Sequence, residues 1–388
     1  MKLIYAVTTT LVLVNACLIA RGQSDGEIML DPNLPFQAER SNPVNYDVDF
    51  SIVVTAPYKT KKLRVWVPLP PNDDSQYVSD RQLTTFPMSV EPQIGTEPLY
   101  GNTFAYFEFD SPQGAQVIRH RFKIRVWQLN WNLDASRIVF PPYWPPSFEK
   151  YHRSESQSVV IDDRFRKMLD EIVPARTNGA NDFASVIQWV QNNFEYDYRD
   201  VSSTASSVHG LEKRRGNCGD YHGFCAALGR ALGLPTRVVY GIHPFPKNSP
   251  THCKLEAYLA PYGWVSFDVS ETQKLMKLID GRTDLKSSDK QRLITLAKTR
   301  MSRGFRDNTW FTQTRGTDYD LVPKSGKRVP LVRTAYMEAD GVAMDEPDPA
   351  DDSQTKFSWM TVHDYHADKQ VPYPFSDWNT LEIDTEKK

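Results

Sequence analysis

Cys218 is the residue of this sequence that is best placed for covalent chemistry. It follows Asn217, a good helix-capping residue, and begins an apolar run at helical spacing that ends at Gly233, ahead of Pro235. A cysteine is a nucleophile only as the thiolate, and the free amides at a helix N-terminus favour that charge. A small neighbour such as Gly219 leaves room for a peptide to approach. The helix alone fits a small core cysteine equally well.

His252 and Asp268 supply the other two parts of the pattern. In strand geometry His252 falls on the polar, outward face, opposite the apolar face that carries Cys253. Asp268 falls on the polar face of the next strand. A turn that pairs Leu259 with Gly263 places Asp268 diagonal to His252, within reach of the imidazole. Cysteine, histidine and aspartate so arranged can act as nucleophile, base and orienting residue in acyl transfer.

A zinc site is the strongest competing interpretation of these side chains. Cys218, His222 and Cys225 share one helix face, and His252 would complete a set of four ligands. Against zinc, Cys225 also belongs to the apolar stripe of the helix, and structural zinc sites usually use short Cys-x-x-Cys loops. We therefore expect no metal and no organic cofactor. The acidic segment 345–352 lacks the glycine and spacing of a calcium-binding loop.

Three blocks of the sequence resemble the core of the transglutaminase-like superfamily in its bacterial secreted form. The blocks are residues 216–235, 251–258 and 263–268, and they occur in the order found in that family. The likeness extends over residues 155–275. It implies a papain-like fold in which the cysteine helix packs on an antiparallel sheet.

The resemblance also implies a role for each site residue. Cys218 would be the nucleophile, His252 the general base and acid, and Asp268 the residue that orients the imidazole. Five further residues are expected to line the cleft: Asn217, Gly219, His222, Lys254 and Trp264. Lys254 departs from the family, which commonly has a tryptophan there, and residues 269–270 replace a frequent Pro-Thr pair.

The expected function is thiol-dependent attack on amide bonds of peptides or glutamine side chains, through an acyl-enzyme. Hydrolysis is slightly favoured over transfer to an amine, because no residue marks an amine-acceptor site. The backbone amide of Cys218 can bind the oxyanion, and Tyr196 and Tyr198 are candidates for the second donor. A catalytically inert binding module of the same fold is the remaining alternative.

Helices followed by strands, without strict alternation, predict an α+β core at residues 155–340. Helical periodicity is present at 162–172 and 183–194, and a charged surface helix is expected at 286–301. Strand patterns follow at 236–242, 253–259, 264–269, 311–322 and 329–337, the last two as extensions of the core sheet.

Before this core, apolar and polar residues alternate in short runs that are separated by clusters of Pro, Gly and Asn. This pattern predicts a β-sandwich-like domain at 44–130, joined to the core by a proline-rich connection at 131–154. A flexible leader at 23–43 precedes the sandwich, and a C-terminal extension at 341–388 follows the core.

Residues 1–22 have the pattern of a cleaved signal peptide, which predicts a secreted or periplasmic protein. A retained N-terminal membrane anchor and a lipoprotein attached at Cys17 are the alternatives. Cleavage would leave three cysteines, so at least one thiol stays unpaired in an oxidising compartment. With 46 basic against 48 acidic residues and no basic stripe, the chain is not expected to bind nucleic acid. The expected partner is a peptide or protein substrate.

Overall fold

The computed structural model describes residues 28–177, 179–247, 249–346 and 358–382. The predicted signal peptide, Cys17 and most of the acidic segment lie outside the described residues. The helices are α1 (Asp163–Ile172), α2 (Ala180–Asn193), α3 (Ser207–Lys213), α4 (Cys218–Ala231), α5 (Val269–Asp280) and α6 (Ser287–Ser302). The helices expected from the periodicity before the cysteine, and the surface helix after the core strands, are confirmed.

The strands of the described residues form three larger sheets and one short parallel pair. The first sheet contains β1 (Glu39–Thr55), β3 (Gln76–Phe86), β6 (Ala115–Asn130), β12 (Phe305–Arg306) and β16 (Trp359–Ala367). The second contains β2 (Lys62–Leu69), β4 (Gln93–Thr96), β5 (Thr103–Asp110), β14 (Tyr336–Ala339) and β15 (Val342–Ala343). The third contains β9 (Thr236–Ile242), β10 (Thr251–Leu259), β11 (Gly263–Phe267) and β13 (Phe311–Arg315). The parallel pair is β7 (Glu195–Tyr196) and β8 (Arg215–Gly216).

The first two sheets share one apolar core, so the sheet-rich region before the helices is a β-sandwich. Side chains from both sheets meet in this core, among them Phe50, Val65, Phe107, Ile124 and Met337. β1 and β6 alternate buried and exposed residues over most of their lengths, as the period-two pattern predicts.

Strands from both ends of the chain complete the sandwich. β1 begins at Glu39, inside the expected leader, and β16, from the expected C-terminal extension, pairs along it. β14 pairs with β2 in the sandwich instead of extending the core sheet, whereas β13 does extend that sheet beside β9. Local patterns indicate strands but not their distant partners, because pairing depends on the whole fold. The division of the chain into domains stays a prediction.

In the core, α4 packs against β9 and β10 of the third sheet. Its apolar side chains, including Phe224 and Leu228, join those of the sheet in one buried cluster. This confirms the predicted α+β arrangement of a cysteine helix on an antiparallel sheet. A close approach beside the site requires glycine at 241, since a Cβ there would lie 2.0 Å from the Phe311 carbonyl oxygen and 2.5 Å from the Trp310 ring. Gly241 is the register partner of His252.

Candidate active site

Cys218 is the first residue of α4, and the start of the helix is capped on both sides of the thiol. The Asn217 side chain accepts a hydrogen bond from the Gly219 amide at 2.8 Å. In return, the Asp220 carboxylate accepts one from the Asn217 amide at 3.2 Å, which completes a capping box. The thiol therefore lies where the partial positive charge of the helix N-terminus favours an anion.

The Cys218 thiol is half-buried, and its surroundings favour the thiolate. The pKa of Cys218 is held well below that of an ordinary thiol. The largest cause is a hydrogen bond with the Cys253 thiol; the charge of His252 and a hydrogen bond with it also lower this pKa, and burial opposes them. Cys253 shows the opposite behaviour, because burial and its contact with Cys218 raise its pKa far above the usual range. Cys253 is therefore protonated and can donate to the Cys218 sulfur.

His252 and Asp268 meet as the turn geometry predicts. Leu259 pairs with Gly263 across the hairpin, and the His252 Nε2 lies 2.8 Å from the Asp268 Oδ2. Burial lowers the pKa of His252, but Asp268 and the sulfur of Cys218 outweigh it and raise that pKa to about 9. With Nε2 held by the carboxylate, Nδ1 is the ring nitrogen left to face the thiol. A thiolate–imidazolium pair is thus the favoured state at neutral pH.

Two details of this pair differ from the sequence-based expectation. Asp268 is not a strand residue but the N-cap of α5, where its Oδ1 accepts from the Glu271 amide at 3.1 Å. His252 and Asp268 are also buried, at 3% and 2% exposure, instead of facing outward from the sheet. The polar face of the hairpin is covered by a layer of side chains from distant segments, including Trp310 and Phe375.

Lys254 is not on the cleft wall, which corrects its expected position. Its ammonium is fully buried and lies 2.6 Å from the Asp268 Oδ2 and 2.8 Å from the Asp307 Oδ2. Burial raises the pKa of Asp268, but the charges of His252 and Lys254 outweigh it and hold that pKa well below the usual range. Lys254 is thus a long cation that spans two carboxylates.

His222 and Trp264 also lie away from the cleft wall. His222 is buried behind the thiols, where its Nδ1 lies 3.4 Å from the Cys253 sulfur and its Nε2 accepts from the Val269 amide at 3.2 Å. Burial lowers the pKa of His222 to about 4, so the ring is neutral. Trp264 packs in a separate aromatic cluster, with Tyr151 at 4.7 Å and the Arg237 guanidinium 4.0 Å above its ring. Asn217 and Gly219 do lie on the cleft wall.

The zinc interpretation finds no support in the geometry. Cys225 lies in the apolar core of α4 and the sheet, and burial raises the pKa of its thiol far above the usual range. Within the ranges that the structure describes, no group of three or more His, Cys, Asp or Glu side chains is arranged to hold a metal ion.

Tyr196, one of the two tyrosines singled out in the sequence, lies against the nucleophile. The backbone amide of Cys218 donates a hydrogen bond of 3.3 Å to the Tyr196 hydroxyl. The Lys274 ammonium lies 3.5 Å from the centre of the Tyr196 ring. Both tyrosines line the cleft, but the structure shows the contact with the Cys218 amide only for Tyr196.

The cleft is also lined by residues that the sequence patterns did not indicate. These are Tyr240, Lys247, Glu271, Lys274 and Arg333, together with small and polar side chains. The first two come from β9 and the loop after it, the next two from α5, and the last from the loop before β14. Because they are dispersed over almost a hundred positions, only the folded structure brings them together.

The fold and the site are those of an α+β core in which a cysteine helix packs on an antiparallel sheet beside a histidine and an aspartate. Residues 166–269 match the model of the transglutaminase-like superfamily. The matched segment contains Cys218, His252 and Asp268.

Three further proteins are similar to this chain over longer stretches. The chain is similar to an uncharacterized protein of Haemophilus influenzae, at 23% identity over 76% of this chain and 85% of the relative. It is also similar to the crystal structure of a "putative cysteine protease" from Cytophaga hutchinsonii, with a TM-score of 0.57, 15% identity, and coverage of 89% of this chain and 98% of that one. The periplasmic domain of TgpA from Pseudomonas aeruginosa aligns over 58% of this chain and 87% of its own, at 16% identity and a TM-score of 0.31.

No helix in the described part of the chain is long and apolar enough to cross a membrane.

Proposed function

We propose that this protein is a thiol-dependent enzyme that cleaves amide bonds of peptides or of glutamine side chains through an acyl-enzyme. Cys218 is the nucleophile, His252 the general acid and base, and Asp268 the residue that holds the imidazole. One observation carries the proposal: a capped helix N-terminus presents a thiol of lowered pKa beside a histidine that a buried carboxylate holds at 2.8 Å. This geometry matches the nucleophile, base and orienting group that acyl transfer requires.

The residues perform the reaction in two steps. The Cys218 thiolate attacks the amide carbonyl carbon, and the imidazolium of His252 gives its proton to the leaving amine as the C–N bond breaks. His252, now neutral, takes a proton from water, whose oxygen attacks the thioester, and the acid leaves as the thiolate returns. Without substrate the Cys218 amide donates to the Tyr196 hydroxyl; with substrate bound, both groups would donate to the oxyanion of each tetrahedral intermediate instead.

Hydrolysis is favoured over transfer to a lysine amine by the charge of the cleft. Three cationic side chains and one carboxylate, Lys247, Lys274, Arg333 and Glu271, line it. The net positive charge of the cleft would repel an incoming ammonium but would not repel water, which is neutral. The substrate is a peptide or protein, and the signal peptide that the sequence predicts favours a location outside the cytoplasm for this reaction.

Incubation of the protein with a glutamine-containing peptide and an isotopically labelled primary amine separates the two reactions. We expect free acid as the product, either from peptide cleavage or from deamidation, and no incorporation of the labelled amine into the peptide. Mass spectrometry of the peptide distinguishes these products, and Cys218→Ala provides the blank. Incorporated amine without free acid would show that the enzyme is an acyltransferase and that hydrolysis is the wrong assignment.

A further inference from the structure

More cationic than anionic side chains line the cleft around Cys218. Both carboxylate oxygens of Glu271 have partners. Oε1 lies 2.8 Å from the Lys274 ammonium, and Oε2 accepts a hydrogen bond from the Tyr373 hydroxyl at 2.8 Å. Its negative charge is thus already matched by Lys274. Lys247 and Arg333 are two further cations that line the same cleft.

Lys247 lies in the connection between β9 and β10. No carboxylate in the described part of the chain lies within ion-pair distance of its ammonium, which lies 5.0 Å from the centre of the Tyr373 ring. Arg333 holds Glu346 through its Nε at 3.0 Å. Because Arg333 is ion-paired, Lys247 is the cation that gives this side of the cleft its positive charge, to which the N-terminus of α4 adds.

A buried donor lies in the same wall. Tyr240, on β9, is 3% exposed, and its hydroxyl has no hydrogen-bond partner among the residues that the structure describes. A buried polar group without a protein partner is costly in a folded protein, so the Tyr240 hydroxyl is available to donate to a group bound in the cleft. Burial raises the pKa of Tyr240 far above the usual range, so its hydroxyl is a neutral donor. Cys253, Cys218, Arg333 and Asp220 all lie near enough to influence it.

We propose that the cleft recognises an acyl donor that carries a carboxylate next to the reactive amide, such as an acidic peptide. Tyr240 donates a hydrogen bond to that carboxylate, and Lys247 supplies the opposite charge. The inference rests on the proposed function for its substrate class. The anion site itself can be tested without turnover.

The first test compares two alkylating agents that differ in charge. Iodoacetate and iodoacetamide both form an S–C bond with the Cys218 thiolate and release iodide, but only iodoacetate carries a carboxylate. We expect the ratio of their rate constants, iodoacetate over iodoacetamide, to fall at least about three-fold in Lys247→Met and in Tyr240→Phe. Lys277→Met removes an exposed lysine of α5 outside the cleft and should leave the ratio unchanged. A ratio that is equal in all four proteins would overturn the anion site.

The second test uses peptides that differ only in Glu or Gln beside the reactive residue. We expect a kcat/KM preference for the Glu peptide of about ten-fold, which shrinks in Lys247→Met and decreases with added salt. Equal turnover of both peptides would overturn the carboxylate preference and leave the proposed function intact. A charge-dependent alkylation ratio with no turnover of any peptide would instead support the anion site and count against the proposed function.

Discussion

Lys254→Met is expected to lower the free energy of unfolding by about 3–5 kcal/mol, because it leaves buried charge without a partner. The Lys254 ammonium is the cation between Asp268 and Asp307, and all three side chains are within 1% of full burial. Methionine has a similar length but no charge, so Asp307 would lose its ion pair in a low-dielectric site. Urea denaturation at pH 7, followed by circular dichroism, measures the loss.

Two variants test the origin of this loss. Lys254→Met/Asp307→Asn removes the carboxylate that depends most on the lysine and should recover part of the stability. Lys277→Met, at an exposed position on α5, should stay within about 0.5 kcal/mol of the wild type. A Lys254→Met variant that also stays within 0.5 kcal/mol would show that the buried ion triad does not stabilise the fold.

Asp268→Asn is expected to lower peptide turnover by about 10³-fold or more, because the imidazole loses the anion that orients and charges it. The pKa of His252 should fall from about 9 toward its ordinary value of about 6.5, because the sulfur of Cys218 is then the main remaining group that opposes the effect of burial. Asparagine is still a good N-cap, so the start of α5 should be preserved. NMR titration of ¹³C-labelled histidines, with His252 assigned by its variant, measures the shift.

Asp307→Asn is the matched control for this prediction. It removes the other carboxylate that contacts Lys254 but leaves the 2.8 Å contact between Asp268 and His252. We expect lower stability with a His252 pKa that remains well above 6.5. Equal histidine titrations in the two asparagine variants would mean that Asp268 has no special role at the imidazole.

The sequence was sufficient to predict those parts of the site that depend on residues close to one another in the chain. Asn217 and the helical spacing after it indicate where α4 begins, and the hairpin register follows from the turn between Leu259 and Gly263. The meeting of His252 with Asp268 then follows from strand geometry. Each of these inferences needs only a few neighbouring positions.

The sequence did not predict the contacts that depend on distant segments. Lys254 reaches Asp307, which lies 53 positions later, so no local pattern reveals that this lysine is buried. The alternation of the hairpin suggested an outward face for His252, but Trp310 and Phe375 cover that face. The anionic preference of the cleft depends on the same kind of long-range assembly, because Tyr240 on β9 and the N-terminus of α4 come from separate elements.

The most direct test of the central claim is iodoacetamide labelling at pH 5.5–6, mapped by mass spectrometry, on the wild type and His252→Ala. Cys225 and Cys253 are buried thiols of raised pKa, and they serve as internal references. An ordinary thiol is almost wholly protonated there, whereas a thiolate paired with an imidazolium reacts. We expect fast modification of Cys218 alone, slowed at least about ten-fold in the variant. Slow labelling of Cys218 at the same rate in both proteins would contradict the thiolate–imidazolium pair.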